Sequence, residues 1–286
     1  MTKTDYLSNT AKRVAVVNDL SSFGKCSLTA SLPIFSCMGL QACPLPTAVL
    51  SCQTGFEEFF KQDMTFVWEG YFDSWRKMGV KFDAIVSGYL TCAYQIKKLK
   101  EFIAEFRRKD TLFVVDPVLG DDGQLYPGMG LDMVREMNEL IYVADFCTPN
   151  LTELCLLNDV NPMQALEKYS TDELFGLVKT LGKKLLQSGC KAVVVTGIRH
   201  DDSVSNFVCS KECEVVTSSP SYKVNMSGSG DIFCTILTAE VLSGKTLEKA
   251  VSIADKFLTQ AIRDTARGEF DNKHGLNFEK YLRNLV

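Results

Sequence analysis

The chain has 286 residues, of which 46% are hydrophobic and 23% charged, and its net charge is −4. This composition is typical of a globular protein, and the length suits one large α/β domain or two small ones. A nucleic-acid-binding surface needs a dense cluster of lysine and arginine, which the sequence lacks. No apolar run is long enough to predict a membrane span.

The eleven cysteines favour a reduced, cytoplasmic protein over a disulfide-bonded one. Their number is odd, many fall within predicted buried strands, and the sequence shows no secretory signal. Cys209 and Cys213 form the only close pair, but they lack Cys-x-x-Cys spacing, which makes a zinc site unexpected. With only His200 and His274 present, a histidine-based metal site or catalytic triad is also disfavoured.

Buried-strand and helix patterns alternate along most of the chain. Strand patterns cover 13–18, 82–88, 111–117, 145–150 and 190–197, and residues 203–209 and 213–219 are typical of a β-hairpin. Helix patterns cover 26–39, 91–109, 132–144, 170–189, 231–244 and 246–266, and another helix begins at 151. This alternation predicts a mostly parallel sheet with helices on both faces.

The segment 41–69 lacks a crossover helix of ordinary length in this reading. Its two pieces "QACPLPTAVLS" (41–51) and "MTFVWEG" (64–70) have the composition of extended chain. We therefore expect an antiparallel edge or flap beside the main sheet.

Polar residues recur where predicted strands end. Because the carboxyl ends of parallel strands meet at one edge of a sheet, where open α/β folds bind ligands, these residues are candidates for one site. They are Asn18, Asp19, Ser87, Gly88, Tyr89, Asp116, Asn150, Glu153, Thr196 and Gly197.

The stretch "SGSGDIF" places Gly228, Ser229 and Gly230 directly before Asp231 at a predicted helix start. Phe233 stands where a dinucleotide fingerprint needs glycine, and no Walker A lysine follows. Free backbone N–H groups at a helix N-terminus favour an anion. The simpler alternative is a tight turn with a helix-start acid. It leaves unexplained why the helix is apolar throughout and why other acids converge on the same edge.

Two further acids follow strands. Asp116 in "VVDPVLGDDG" could cap a turn, and Glu153 in "TPNLTEL" could belong to a helix start capped by Asn150 or Thr152. Alternatively, the two carboxylates could help to hold Mg²⁺ together with substrate phosphates. Acids and an anion-binding turn at the same sheet edge indicate phosphoryl transfer.

The order of "NDLSSFGKCSL", "PLPTAVLS", "SGYL", "DPVLGDDG", "TPNLTE", "VVVTG" and "GSGD" resembles the ribokinase superfamily, and more narrowly the pyridoxal/pyridoxamine kinases. The resemblance runs from about residue 13 to 265. It implies a single ribokinase-like kinase domain over 1–286, a three-layer α/β sandwich with a small β flap within about 41–69. It also implies a homodimer that phosphorylates the hydroxymethyl group of a B6 vitamer with ATP and Mg²⁺, with a monovalent cation as a further candidate.

The resemblance also implies roles for individual residues. Asp231 matches the general base, and the backbone of Gly228, Ser229 and Gly230 matches the anion hole for the transferred phosphoryl group. The remaining matches are Asp116 and Glu153 near the metal and phosphates, Thr196 with Gly197 and Asn150 near the nucleotide, and Asp19, Thr47 and Tyr89 around the pyridine ring.

This sequence departs from the family pattern at Cys52 and Gln53, where close relatives often have Asn-His, and it has "SFG" and "GSGD" for the usual "GFG" and "GTGD". Three alternatives stay open: a hydroxymethylpyrimidine kinase, a sugar kinase of the same fold, and a non-catalytic vitamer-binding relative. Related hydroxymethylpyrimidine kinases usually have cysteine where Asp231 stands, which disfavours the first.

Overall fold

The computed structural model describes residues 11–224, 226–268 and 271–286. The strands of the protein in these ranges are β1 Arg13–Ser21, β2 Gln41–Leu50, β3 Lys61–Asp63, β4 Ala84–Ser87, β5 Leu112–Val115, β6 Gly120–Asp121, β7 Gln124–Leu125, β8 Phe146–Cys147, β9 Ala192–His200, β10 Ser203–Ser210 and β11 Glu214–Pro220. Nine of them form one central sheet in the order β11-β10-β9-β8-β5-β4-β1-β2-β3.

The helices are α1 Ser27–Cys37, α2 Trp68–Met78, α3 Ala93–Phe106, α4 Leu131–Tyr142, α5 Leu151–Leu156, α6 Pro162–Lys168, α7 Thr171–Ser188, α8 Ser229–Leu242 and α9 Leu247–Thr265. Short 3-10 turns cover 65–67, 272–274 and 279–285. No helix within the described ranges is long and apolar enough to cross a bilayer.

The sheet is buried on both faces, as the alternation of strands and helices predicts. Along β1, Ala15 and Val17 pack with the helices of one face, whereas Val14 and Val16 pack against α1, α8 and α9 on the other. Because successive side chains of a strand point to opposite faces, one apolar strand supplies both cores. The three-layer prediction is therefore confirmed, and six neighbouring strands from β2 to β9 are parallel.

The expectation for 41–51 was wrong in direction. β2 runs parallel to β1 along its length, and only the three-residue β3 is antiparallel at the edge. Pro44 and Pro46 are tolerated within β2 because β3 pairs only with Ala48–Leu50, so the prolines lie beside an outer edge that no described strand covers.

The expectation for 64–70 was also wrong, because this stretch is helical. A 3-10 turn at 65–67 leads into α2, whose Trp68, Phe72 and Trp75 recur at helical spacing. The rings of Phe72 and Trp75 pack on Phe102 of α3, Trp75 also packs on Phe82, and Trp68 packs on Phe72. Of the aromatic and β-branched residues that suggest a strand, Trp68 belongs to the buried face of α2, whereas Phe66 is exposed.

Candidate active site

A cavity of about 830 Å³ opens along the carboxyl ends of the parallel strands. It is bounded by the segments that follow β1, β4, β5, β8 and β9 and by the start of α8. The structure brings most of the predicted site residues to its wall: Asp19, Tyr89, Asp116, Asn150, Glu153, Thr196, Gly197, Gly228, Ser229, Gly230 and Asp231. Asn18, Ser87 and Gly88 instead line a small adjoining cavity that Asp116 and Asp231 also border, and Thr47 lines neither.

Asp231 lies in the first turn of α8 and contacts the end of β1. The Asn18 side-chain amide donates to its carboxylate at 2.9 Å. Burial raises the pKa of Asp231 to about 6, opposed by hydrogen bonds from the backbone of Ser27 and from Asn18, while the negative charge of Asp19 raises it further. A carboxyl group with this pKa is ionised at neutral pH yet basic enough to accept a proton.

Asn18 is held so that its amide must face Asp231. Its side-chain oxygen accepts hydrogen bonds from the backbone N–H groups of Asp19 at 3.0 Å and Tyr89 at 2.9 Å. Because the oxygen is fixed on this side, the side-chain nitrogen points the other way, toward Asp231. Gly88 makes room for this arrangement, because a Cβ there would stand 2.4 Å from the Asn18 amide nitrogen. The end of β1 and the turn after β4 therefore fix the orientation of the candidate base.

Gly228 caps α8 in the left-handed region, with φ +80°, and its place admits no side chain. A Cβ at this position would stand 2.3 Å from the Lys25 carbonyl oxygen. The tight turn leaves the first N–H groups of α8 without carbonyl acceptors inside the helix, at a wall of the cavity. Ile232–Glu240 of α8 are buried, so the positive end of the helix dipole is presented at the base of the cavity.

Asp116 ends β5 and faces the same turn: its Oδ2 lies 3.9 Å from where a Cβ of Gly230 would be. The Thr148 hydroxyl donates to the Asp116 carboxylate at 2.9 Å. Burial and then the charge of Asp231 raise the pKa of Asp116 to about 7 despite this hydrogen bond. Negative charges therefore crowd one side of the helix start, an arrangement that a cation would relieve.

Glu153 both caps a helix and lines the cavity, the two alternatives that the sequence leaves open for it. It forms a capping box with Asn150 at the start of α5, and its other oxygen accepts the Leu119 N–H at 3.0 Å. It also lines the cavity, where burial and the charge of Asp116 raise its pKa well above the ordinary value. The capping alternative is thus correct without excluding a role toward a ligand.

The donor set fits a magnesium ion that arrives with phosphates. Within 11–224, 226–268 and 271–286, no cluster of three or more His, Cys, Asp or Glu residues forms a cage for a metal. Asp116 and Glu153 offer only carboxylate oxygens, and both Glu153 oxygens already accept backbone N–H groups. Mg²⁺ suits such a place because it keeps several waters and needs only one or two carboxylates besides phosphate oxygens.

Thr196 and Gly197 form a bulge in β9, opposite Asn206 of β10. Ser205 pairs with Ile198 but Phe207 pairs with Val195, so two residues of β9 face Asn206 alone. Gly197 takes up the bulge with φ +66°. Such a bulge takes residues out of the regular ladder, and here both bulge residues border the cavity.

Of the three residues predicted to surround the pyridine ring, Asp19 and Tyr89 line the cavity and Thr47 does not. Asp19 is buried with a hydrogen bond from Ser21 at 2.7 Å, and burial raises its pKa. Tyr89 lines the cavity, and its hydroxyl accepts from Lys61 Nζ at 2.7 Å. Thr47 is fully buried in β2, does not line the cavity and has no hydrogen-bond partner for its hydroxyl among the described residues.

Several residues of the cavity wall have no role predicted from the sequence. Gln53 stands out in the sequence only as a departure from the family pattern, yet it is buried on the cavity wall, where its side chain accepts from Gly55 N–H at 2.6 Å and donates to the Lys273 carbonyl at 3.2 Å. Thr148 has no predicted role either, although it directly precedes Pro149 in the quoted "TPNLTE" stretch. Asn206 and Asp255 carry no sequence signal, because a hairpin asparagine and a helical aspartate are ordinary surface residues.

A family model described as phosphomethylpyrimidine kinase matches residues 22–276. The chain belongs to this kinase family. It is also 31% identical over 257 residues to the pyridoxine/pyridoxal/pyridoxamine kinase of Bordetella avium (strain 197N), with 85% of this chain and 82% of that relative covered. The predicted resemblance to pyridoxal kinases is confirmed, and so is the class of phosphotransferase acting on an alcohol group.

Solved structures of the phosphomethylpyrimidine kinase family share the fold. A Bacteroides thetaiotaomicron protein that carries this name superposes with a TM-score of 0.91 at 40% identity, covering 97% of this chain and 95% of that chain. A second form of it, with pyridoxal, gives a TM-score of 0.90 at 38% identity and covers 96% of each chain. Pyridoxal kinase from Leishmania donovani, in complex with ADP and pyridoxamine, shares the fold alone at 20% identity, with a TM-score of 0.84 and coverage of 96% and 95%.

Proposed function

We propose that this protein transfers the γ-phosphoryl group of ATP to the hydroxymethyl group of a B6 vitamer, giving the 5′-phosphate. One observation carries the proposal: Asp231, oriented by Asn18, lies at the N-terminus of a buried helix whose first turn borders the same cavity. The similarity to the Bordetella avium enzyme supports the substrate class. The pyridoxal in the Bacteroides thetaiotaomicron structure supports it as well.

Asp231 acts as the general base. Its carboxylate accepts the proton of the vitamer hydroxyl as the hydroxyl oxygen attacks the γ-phosphorus. The bond between the γ-phosphorus and the oxygen that bridges it to the β-phosphate breaks, and ADP leaves. Because Asn18 donates to the same carboxylate, the lone pair used for the proton is held in one direction. Phosphoryl transfer depends on such positioning more than on covalent chemistry.

The backbone of Gly228, Ser229 and Gly230 receives the phosphoryl oxygens. These N–H donors are fixed before the reaction by the Gly228 turn, so they stabilise developing charge without rearranging. Asp116 and Glu153 would hold Mg²⁺ through its waters, and that ion would offset phosphate charge when bound. Thr196, Gly197 and Asn150 border the same end of the cavity and bind the nucleotide.

The vitamer ring lies toward Asp19, Tyr89 and Gln53. Asp19 lies near the end of β1, Tyr89 follows β4 and Gln53 follows β2. These three strands are neighbours in the sheet, separated from β9 and its bulge by β5 and β8. Thr47 lies in β2, behind the cavity wall, so its role at the pyridine ring stays a prediction. From this segment Leu50, Gln53, Thr54 and Gly55 line the cavity instead.

A second candidate is phosphorylation of a pyrimidine substrate such as hydroxymethylpyrimidine, because the matching family model is described as phosphomethylpyrimidine kinase. Initial rates of ATP consumption, measured with pyridoxal, pyridoxamine, pyridoxine, hydroxymethylpyrimidine and ribose at equal concentrations, separate the candidates. We expect kcat/KM for at least one B6 vitamer to exceed the other two classes by at least about tenfold. A preference for hydroxymethylpyrimidine or ribose would contradict the proposal, and vitamer binding without ATP consumption would favour the non-catalytic alternative.

The wider organisation is also proposed. We treat 1–286 as one kinase domain, supported by the single large sheet. A homodimer is supported by the exposed Phe60 and Phe66 beside the edge strand β3, and light scattering of the purified chain tests it. The cytoplasmic location and the use of a monovalent cation stay predictions from the sequence.

A further inference from the structure

Asp255 is a carboxylate that the proposed mechanism does not use. It lies on α9, lines the cavity and is largely enclosed, so burial raises its pKa. Among the described residues it receives hydrogen bonds from the side chains of Asn206 and Thr217 but no ion pair from a lysine or arginine. Enclosing a carboxylate without a nearby cation lowers the free energy of unfolding, so Asp255 is expected to have another role.

A chain of hydrogen bonds with one direction leads from Asp255 to the β9 bulge. Gly197 N–H donates to Asn206 Oδ1 at 2.9 Å, and Asn206 Nδ2 then donates to Asp255 Oδ1. Because a backbone N–H can only donate, the Asn206 oxygen is committed to Gly197 and its nitrogen must find an acceptor. Asp255 supplies that acceptor, and the Thr217 hydroxyl donates to its other oxygen at 2.5 Å.

The bulge has no other side-chain support among the described contacts. Thr196 N–H donates to the Pro149 carbonyl at 2.9 Å on the β8 side, whereas Gly197 N–H on the β10 side donates to the Asn206 side chain. Asn206 itself is buried, so its amide cannot exchange its protein partners for bulk water. Loss of Asp255 would leave a buried donor unsatisfied at the point that shapes this wall of the cavity.

We propose that Asn206 and Asp255 are positioning residues for the nucleotide: together they hold the β9 bulge that presents Thr196 and Gly197 to it. This inference rests on the proposed function for the identity of the nucleotide. It adds that α9 and β10, which contribute no predicted catalytic residue, set the affinity for ATP. The vitamer end of the cavity, at Asp19 and Tyr89, lies outside this chain of contacts.

Calorimetric titration with ADP, combined with separate KM values for ATP and the vitamer, tests the proposal. We expect Asp255→Ala and Asn206→Ala each to weaken ADP binding and raise the KM for ATP about tenfold, equivalent to about 1.4 kcal/mol, with less than about a twofold change in the KM for the vitamer. Thr217→Val is the matched control, because it removes the other donor to Asp255 and leaves the link to Gly197 intact. It should change ADP affinity less than about twofold.

Asp255→Asn should restore ADP affinity to within about threefold of the wild type, because its amide oxygen can face Asn206 while the Thr217 hydroxyl turns to accept. Unchanged ADP affinity in a folded Asp255→Ala or Asn206→Ala variant would overturn the proposal, as would an equal rise in both KM values. If Asp255→Ala does not fold, Asn206→Ala and Asp255→Asn decide. A wild-type protein that binds ADP but phosphorylates no vitamer would refute the proposed function and not this inference.

Discussion

Asn18 and Asp231 are 213 positions apart in the sequence, and the amide of the first donates to the carboxylate of the second at 2.9 Å. This contact joins the end of β1 to the start of α8. Asp231 lines the main cavity together with Asp19, and Asn18 lines the small adjoining cavity. It gives the turn "GSGD" a directed acid as well as an anion-binding backbone. The two halves of the motif therefore serve different partners, the phosphoryl group and the hydroxyl that attacks it.

Replacement of Asn18 by alanine is expected to lower kcat and shift its pH dependence. The amide favours the ionised form of Asp231, whose pKa is about 6, so its loss raises that pKa and moves the acid limb of kcat/KM to higher pH. We expect kcat near neutral pH to fall on the order of tenfold. Asn158→Ala removes a side chain that bonds only the Leu154 carbonyl and is the control. An acid limb that stays in place in Asn18→Ala would contradict this account.

Asp231→Asn is expected to stabilise the protein at neutral pH. Burial raises the pKa of Asp231 to about 6 from an ordinary value of 3.8, so the folded chain binds this proton more tightly than the unfolded chain. Stability from this group is therefore greatest below pH 4 and is lost as the pH rises through about 6. The asparagine avoids that loss and should raise Tm by roughly 2 °C at pH 7.5.

Thermal unfolding of both proteins between pH 4.5 and pH 8 checks this sign. The advantage of the asparagine variant should shrink as the pH falls, because the wild-type carboxyl is then protonated. An advantage that grows toward acid pH would show that the carboxylate stabilises the fold.

Gly228 and Gly230 offer a matched pair of substitutions. Gly228→Ala places a Cβ 2.3 Å from the Lys25 carbonyl oxygen at φ +80° and should destabilise the protein by about 1–3 kcal/mol. Gly230→Ala meets only Asp116 Oδ2 at 3.9 Å and should fold with the wild-type Tm. Its methyl group projects into the space between the anion cradle and Asp116, so kcat should fall about tenfold or more. Denaturant unfolding and turnover together test the pair, and equal Tm values for both variants would refute the steric argument.

Substitutions at Gln53 and Cys52 test separately the two neighbouring positions at which the sequence departs from the family pattern. Gln53 lines the cavity and links Gly55 to Lys273, whereas the Cys52 thiol contacts the Glu58 carbonyl at 3.5 Å and does not line the cavity. Gln53→Ala should raise the KM for the vitamer about three- to tenfold and leave the KM for ATP unchanged. Cys52→Ala should change neither. The reverse pattern would assign the departure at Cys52, and not Gln53, to substrate recognition.

The fold was largely predictable because apolar strands alternate with amphipathic helices. The failures have local causes. At 64–70, packing of Trp68 and Phe72 overrode the strand propensity of the residues before them. The predicted strand 145–150 shortens to Phe146–Cys147 because Pro149 has no N–H to donate, although Asn150 still bridges Thr196.

The site was predictable where its residues stand at strand ends or in the glycine turn. Contacts that depend on side chains meeting from distant elements were not. Nothing in the sequence indicates that Thr148 donates to Asp116, or that Asn206 on β10 faces Asp255 on α9. Thr47 illustrates the opposite limit: a motif match at a strand does not say which face of the sheet, or which depth, the side chain occupies.

The most direct test of the account is the turnover number of Asp231→Asn with ATP and the preferred B6 vitamer, measured beside its thermal unfolding and its ADP affinity. The account predicts a folded variant that binds ADP as the wild type does and loses at least about a hundredfold in kcat. A folded variant with kcat near that of the wild type would contradict the assignment of Asp231 as the general base.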